Sequence, residues 1–295
     1  MTENEFILAD RLQKIRSTIE KYGEDNFCIS FSGGKDSCVM SALVDMAKPG
    51  NNIPRVYADT GIEYNMIREF VYNIKDERLQ IIRPSKPIKK TLDDKGYPFK
   101  SKMHSAILYT YQRSGRTPGV VQYLGEREDK APWCAEKSCP AKLKYQFKSD
   151  FNIKISDKCC IELKEKPLLK WQRDNGKKIA MVGIMREEGG RRFNATCLRF
   201  KGEDLVKFHP LAPITKAWEE WFIKEYNVAI CDIYKPPYNF VRTGCKGCPF
   251  AAGLQKELDT LEEYFPQEKA QCEIIWRPIY KEYRRIGYRL RKEGD

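Results

Sequence analysis

One stretch constrains this chain more than any other: Ser30-Phe31-Ser32-Gly33-Gly34-Lys35-Asp36-Ser37. A short apolar run, Phe27-Cys28-Ile29, leads into it, and an apolar-periodic segment from Cys38 to Val44 leaves it. The pattern predicts a strand, a glycine turn and a helix. Such a turn is an anion site, because the first N–H groups and the positive end of the helix face whatever lies in it. Gly33 and Gly34 allow close approach of the backbone to a ligand. Ser32 and Ser37 add hydroxyl donors, and Lys35 adds a point charge suited to phosphate. Asp36 belongs beside phosphate only if it fixes the loop or holds a cation, which points to Mg²⁺. The spacing is not that of the common phosphate loop, because Ile29 stands where that motif requires its first glycine.

The 295 residues are enough for a full core, as one large domain or one with an appendage. No apolar run is long enough to cross a membrane, and the first residues, Met1 to Phe6, lack the apolar core of a signal peptide. The expectation is a cytoplasmic protein. In a reducing compartment the 11 cysteines are expected to serve metal or redox chemistry, not a disulfide framework. The net charge of +12 suits a polyanionic partner, a nucleotide or a nucleic acid, and fits a lysine-rich solvated surface equally well.

Along the chain, Phe6 to Lys21 reads as an amphipathic helix. After the glycine turn come a strand at Arg55–Ala58 ending in Asp59-Thr60-Gly61, a helix from about Tyr64 to Ile74, and a strand at Leu79–Arg83. Residues from Pro84 to about Asp157 read as a less regular, basic insertion or lid. Strands return at Ile179–Ile184 and Leu205–Phe208, a helix covers Lys216 to Tyr226, and the tail from Leu254 is helical with a break near Pro266. This alternation predicts an open, mostly parallel α/β sheet with helices on both faces, where ligands sit at the carboxyl ends of strands. Asp59, Thr60 and Gly61 fall at such an end.

Two cysteine features stand out, the tandem Cys159-Cys160 and the C-x-x-C pair Cys245-Lys246-Gly247-Cys248. Separated elements of this kind converge on metals, and four thiolates suit an iron–sulfur cluster or zinc. Cys272, Cys134 and Cys139 remain alternative ligands, and Cys134 with Cys139 an alternative redox pair. Cys28, Cys38, Cys197 and Cys231 read as packing residues. His209, before Pro210, reads as structural rather than as a base; Trp133 is either an adenine platform or a core residue.

Ser32-Gly33-Gly34-Lys35-Asp36-Ser37 resembles the PP-loop of the ATP pyrophosphatase superfamily, whose members cleave ATP between its α and β phosphates. The tandem cysteines, followed by Lys164, Lys166, Pro167 and Leu168, and the later C-x-x-C resemble the cluster pattern of sulfonucleotide reductases, the PAPS reductase-like family. Gly183-Ile184-Met185-Arg186 resembles that family's Gly-x-x-Arg turn, and His209-Pro210-Leu211 with Trp218 its following segment. The resemblance implies an adenine nucleotide alpha hydrolase-like, Rossmann-like fold over 1–250, with an insertion at about 84–157 and a C-terminal helical extension at 251–295. It implies a nucleotide on Ser30 to Ser37, Asp59, Thr60, Gly61 and Arg186, with Lys35, Asp36 and Arg186 acting in catalysis. It also implies a [4Fe–4S] cluster on Cys159, Cys160, Cys245 and Cys248, with Zn²⁺ as the alternative.

Two departures matter. The chain has no cysteine after Cys272, so the reductases' tail nucleophile is absent, and the loop keeps Lys35 and Asp36, which those reductases usually lose. Both departures turn the reading toward ATP chemistry, and bring the chain closest to the DNA-phosphorothioation and tRNA-thiolation sulfur-insertion enzymes. The expectation is an enzyme that uses ATP and Mg²⁺, releases pyrophosphate and adenylylates an acceptor for sulfur transfer. The acceptor would be DNA, tRNA or a small molecule, and the sulfur donor a protein such as a cysteine desulfurase. A sulfonucleotide reductase using a different cysteine, and a non-catalytic nucleotide- or nucleic-acid-binding subunit, remain alternatives; oligomeric state is left open.

Overall fold

The computed structural model describes residues 1–126 and 138–292, so Trp133 and Cys134 lie outside the described residues. The chain divides into two compact units. The first comprises Met1–Asp59, Glu63–Pro84 and Lys166–Thr243; the second comprises Thr60–Ile62, Ser85–Glu165 and Gly244–Asp295.

The first unit is built on a sheet of strands β1 (Phe27–Phe31), β2 (Arg55–Ala58), β3 (Leu79–Ile82), β4 (Ile179–Val182), β5 (Leu198–Lys201) and β6 (Asp204–Phe208). Their order is β3-β2-β1-β4-β6-β5. All neighbours are parallel except β5 and β6. The order reverses direction between β1 and β4, which opens a crevice at the carboxyl ends of those two strands. Central strands such as Phe-Cys-Ile-Ser-Phe are apolar almost throughout because both their faces are covered.

Helices α1 (Glu3–Tyr22), α2 (Lys35–Ala47), α3 (Asn65–Tyr72), α7 (Lys166–Asp174) and α8 (Lys216–Glu225) surround this sheet. The large core joins Ile15 and Ile19 of α1, Val39 and Leu43 of α2, and Trp218 and Phe222 of α8 to Ile29, Met181 and Phe208 of the strands. A second, small cluster, Cys28, Val56 and Ala180, is capped by Leu168 and Trp171 of α7. Helix α1 starts on a capping box: the Thr2 hydroxyl accepts from the Glu5 N–H while the Glu5 carboxylate accepts from the Thr2 N–H.

The second unit is helical: α4 (Ile88–Lys95), α5 (Lys102–Ser114), α6 (Pro118–Leu124), a 3-10 turn at Ala141–Phe147, then α9 (Leu254–Tyr264), α10 (Pro266–Ile275) and α11 (Arg277–Ile286). One parallel bridge joins Tyr97 to Ile155. Its buried side chains include Leu92, Phe99, Leu108, Tyr123, Leu258, Trp276 and Tyr280. The stretch read as irregular is therefore largely helical; α4 and α6 are only eight and seven residues long, too short to show a clear apolar period. The antiparallel strand β5 was not expected, because the alternation of Leu-Arg-Phe-Lys is only four residues long.

Candidate functional site

The nucleotide turn lies at the carboxyl end of β1, where α2 begins at Lys35 with Gly34 as its N-cap. Its serines hold it from within. The Ser37 hydroxyl donates to the Gly34 carbonyl (2.8 Å), and the Gly34 N–H donates to the Ser32 hydroxyl (3.3 Å). Gly33 has φ +72°, and a Cβ there would sit 2.6 Å from Val71 Cγ2, so glycine is demanded by both backbone and space. At the end of β4, a Cβ on Gly183 would lie 3.1 Å from the Asp36 carbonyl oxygen. The two strand ends thus close on the first turn of α2.

The two charges of the turn meet different neighbours. The Lys35 ammonium lies 5.5 Å from the centre of the Tyr234 ring. The Tyr234 hydroxyl, which hydrogen-bonds Thr243, sits against Gly34. Asp36 is next to Glu219 on the first full turn of α8. Burial, then the nearby Glu188 carboxylate, raises the Asp36 carboxyl above its usual range. Burial, then Asp36, raises Glu219 to about 8. Glu219 is 2% exposed, and its Oε1 has no hydrogen-bond partner among the described residues. Glu188 is taken up by Arg192 and Arg242.

Asp59, at the end of β2, is held differently. Its carboxylate accepts from the Tyr72 hydroxyl (2.8 Å) and pairs with Arg68 (3.2 Å) and Arg83 (3.6 Å). The acid brought to Asp36 is therefore Glu219, which sequence reasoning passed over because an acid in a first helical turn reads as dipole compensation. Tyr234 and Thr243 were also missed, since neither belongs to a motif. Arg186 is exposed and its Nε donates to the Ala195 carbonyl (2.8 Å). In the second unit, Thr60 is buried and Gly61 takes φ +75°.

The second unit brings Cys159, Cys160, Cys245 and Cys248 within electrostatic reach of one another. Cys159 and Cys160 open a helical stretch whose next turn, Ile161–Glu165, is a π-turn. A hydrogen bond from Cys159, with the ammonium groups of Lys102 and Lys164 nearby, lowers the Cys160 thiol to about 6; Cys159 moves up in response. The C-x-x-C turn is clamped from behind. Its Gly247 N–H donates to Glu257 (2.7 Å), and the Lys246 ammonium pairs with Glu268 (2.9 Å) although Lys246 is 1% exposed. Trp276 donates to the Lys246 carbonyl (3.0 Å), Tyr280 to that of Gly247 (2.5 Å) and Tyr283 to that of Pro249 (2.9 Å). Gly247 has φ +60°, and a Cβ would lie 2.8 Å from Cys272 Sγ and closer still to the Tyr280 hydroxyl.

Of the alternative ligands, Cys272 and Cys139 lie among the described residues. Cys272 is fully buried behind Gly247, and burial pushes its thiol up to about 12. Cys139 contacts Tyr123 and the Pro140 carbonyl, with its thiol pushed up to about 11 by burial. Among the described residues, no three His, Cys, Asp or Glu side chains are arranged to hold a single metal ion. A mononuclear site needs all its sulfurs about 2.3 Å from one centre. A four-iron cluster takes each thiolate on a different iron and so fits a wider set. The donor chemistry of four cysteines suits the latter group. His104 is buried between Tyr123 and Gln146, and burial lowers it to about 4; the His209 ring hydrogen-bonds the Thr196 carbonyl. Both histidines are buried, and His209 Nε2 has no hydrogen-bond partner among the described residues.

Among solved structures, the chain is similar to phosphoadenylyl-sulfate (PAPS) reductase from Candida auris, with 12% identity over 75% of this chain and 88% of that one and a TM-score of 0.40. It is similar to the NH3-dependent NAD synthetase of Campylobacter jejuni, with 12% identity over 94% and 95% and a TM-score of 0.42. The U34-tRNA thiolase NcsA of Methanococcus maripaludis, solved with its [4Fe-4S] cluster, shows 14% identity over 94% and 80% and a TM-score of 0.40. Comparison with curated proteins gives no match. No described helix is long and apolar enough to cross a membrane. The phosphoadenosine phosphosulfate reductase domain family matches residues 126–251, a span that contains Cys159, Cys160, Cys245 and Cys248 and stops short of the nucleotide turn. With the cysteine set inside that span, residues 126–251 are similar to a phosphoadenosine phosphosulfate reductase domain.

Proposed function

We propose that the chain binds ATP on the turn Ser30 to Ser37, releases pyrophosphate and leaves an adenylyl group on an acceptor that then takes sulfur. One observation carries this reading: Lys35 and the buried acid pair Asp36–Glu219 meet at the same turn. A site for a sulfonucleotide alone needs no cation-binding acids, whereas a triphosphate whose pyrophosphate leaves does. The phosphates seat on the N–H groups at the start of α2 and on the Ser32 and Ser37 hydroxyls. An acceptor oxygen attacks the α-phosphorus and the bond to the β-phosphate oxygen breaks, with Lys35 facing the leaving pyrophosphate. No protein nucleophile is needed, so the protein contributes position and charge. Asp36 and Glu219 would hold Mg²⁺, which neutralises phosphate charge when bound. Asp59, expected to share that task, is occupied by Arg68, Arg83 and Tyr72.

Cys159, Cys160, Cys245 and Cys248 would hold a [4Fe–4S] cluster, which supplies either sulfur or a structural tie; the wide four-thiolate set supports it over zinc. A reductase reading is also favoured by one finding, the family match across the cysteines. Anaerobically purified protein given ATP labelled in its α-phosphate, and separately adenylylsulfate with thiol, tests the two. AMP and pyrophosphate from ATP support the proposal. Sulfite from adenylylsulfate with ATP untouched replaces it with the reductase. ATP bound but not turned over, with acceptors of several classes added, leaves a nucleotide-binding subunit.

A further inference from the structure

The exposed side of α11 has no part in either site described above. Arg277, Lys281 and Arg285 follow one another at four-residue spacing along it, all three exposed. At about 1.5 Å rise per residue the row is about 12 Å long. Like charges at this spacing weaken a helix, so the row is not there for the helix. Among the described residues, Arg277 and Lys281 have no ion-pair partner. The one acid of the helix, Glu282, is buried and taken up by Arg285 and the Tyr145 hydroxyl.

The 3-10 turn Ala141–Phe147 lies against this helix. The Arg285 guanidinium sits 5.1 Å from the centre of the Tyr145 ring, and the Lys142 ammonium donates to the Gly287 carbonyl (3.1 Å). Lys144 and Lys148 extend the exposed basic surface, and Asp150 is the only acid from 141 to 150. This unit carries most of the chain's net positive charge. Ile274 is the one large apolar side chain exposed beside the row. A protein interface centres on aromatic and apolar anchors and is poor in lysine. A cationic surface without such a centre fits a polyphosphate backbone.

We propose that α11 and the turn Ala141–Phe147 form a docking surface for the phosphodiester backbone of a nucleic acid, held by charge and not by base sequence. The opposite side of the same helix carries Tyr280 and Tyr283, which hold the Gly247 and Pro249 carbonyls of the cysteine turn. The nucleic acid is therefore anchored on the back of the element that positions Cys245 and Cys248. Its role as the adenylylated acceptor rests on the function proposed above; the binding surface does not.

The full chain, titrated by fluorescence anisotropy with a labelled DNA duplex and a labelled RNA of unrelated sequence, tests this. Each phosphate contact releases about 0.9 counter-ion, so binding should weaken with a log–log salt slope of about −5 between about 50 and 200 mM salt. Arg277→Gln with Lys281→Gln, and separately Lys144→Gln with Lys148→Gln, should each cut the slope by about 2 and the affinity at least tenfold. These are exposed positions, and near-ultraviolet circular dichroism verifies the fold of both variants. Similar affinity for DNA and RNA supports recognition by backbone charge. Binding confined to one base sequence, binding unchanged in both variants, or no binding to either nucleic acid overturns the proposal, and the last result with capture of an acidic protein reassigns the surface. If the variants lose binding while ATP gives no AMP, the surface stands and the adenylylation reading falls. If AMP forms and the variants bind normally, the reverse holds.

Discussion

The turn at Ser32–Ser37 and the turn at Cys245–Cys248 use the same device, a glycine at positive φ, yet they are held in opposite ways. The nucleotide turn is held locally: Ser32 and Ser37 bond within it, and the hydrocarbon of Val71 blocks the space beside Gly33. The cysteine turn is held from afar, by Glu257, Glu268, Trp276, Tyr280 and Tyr283. The first is closed by its own hydroxyls at the start of α2. The second fixes each carbonyl in turn, which suits side chains that must keep one geometry around a permanent group. A local turn writes itself into consecutive residues; a clamped one does not.

Gly247→Ala tests the clamp most severely. Alanine at φ +60° and a Cβ pressed on Cys272 and Tyr280 should cost about 2–5 kcal/mol in urea denaturation, with iron per chain falling alongside. Unchanged stability and iron would show that the turn is not fixed from behind. Lys35→Ala should leave stability within about 0.5 kcal/mol while slowing pyrophosphate release about 10²–10³-fold. A normal rate would remove Lys35 from the chemistry.

The third test separates the two turns by pH. His104 reaches the cysteine turn through Phe99, 5.8 Å away, and Tyr283, 4.6 Å from Phe99. Burial lowers it to about 4 from an ordinary 6.5, so the unfolded chain binds its proton first. Stability from this group is present above pH 6.5 and is lost as pH falls toward about 4, by about 3 kcal/mol in all. His104→Asn should remove that slope from the urea midpoint. A wild-type midpoint flat across the window would mean that His104 is not buried neutral.

Strand β1, the glycine turn and α2 were legible in the sequence because each signal lies within a few residues of the next. The cysteine pairs were legible as donors, since C-x-x-C has a chemical meaning at its own spacing. What could not be read was partnership. Asp59 stood at a strand end and looked available, but Arg68, Arg83 and Tyr72 reach it. Glu219, about 180 positions from Asp36, carried no sign that it would lie beside it. The insertion hid its helices because α4 is only eight residues long, three of them lysine, and α5 and α6 are separated by glycine and proline, so no long apolar period builds up.

The sequence by itself determined the α/β alternation, the strand, glycine turn and helix around Gly33 and Gly34, and the spacing of the cysteine pairs. These follow from backbone geometry and side-chain chemistry that act over a few bonds. Only the tertiary structure decided which acid lies beside Asp36, which helices grip Gly247, and that the cations of α11 and Ala141–Phe147 share one surface. Burial, ion pairing and clamping act between residues that folding brings together, so their energies are set by distance in space and not by separation along the chain.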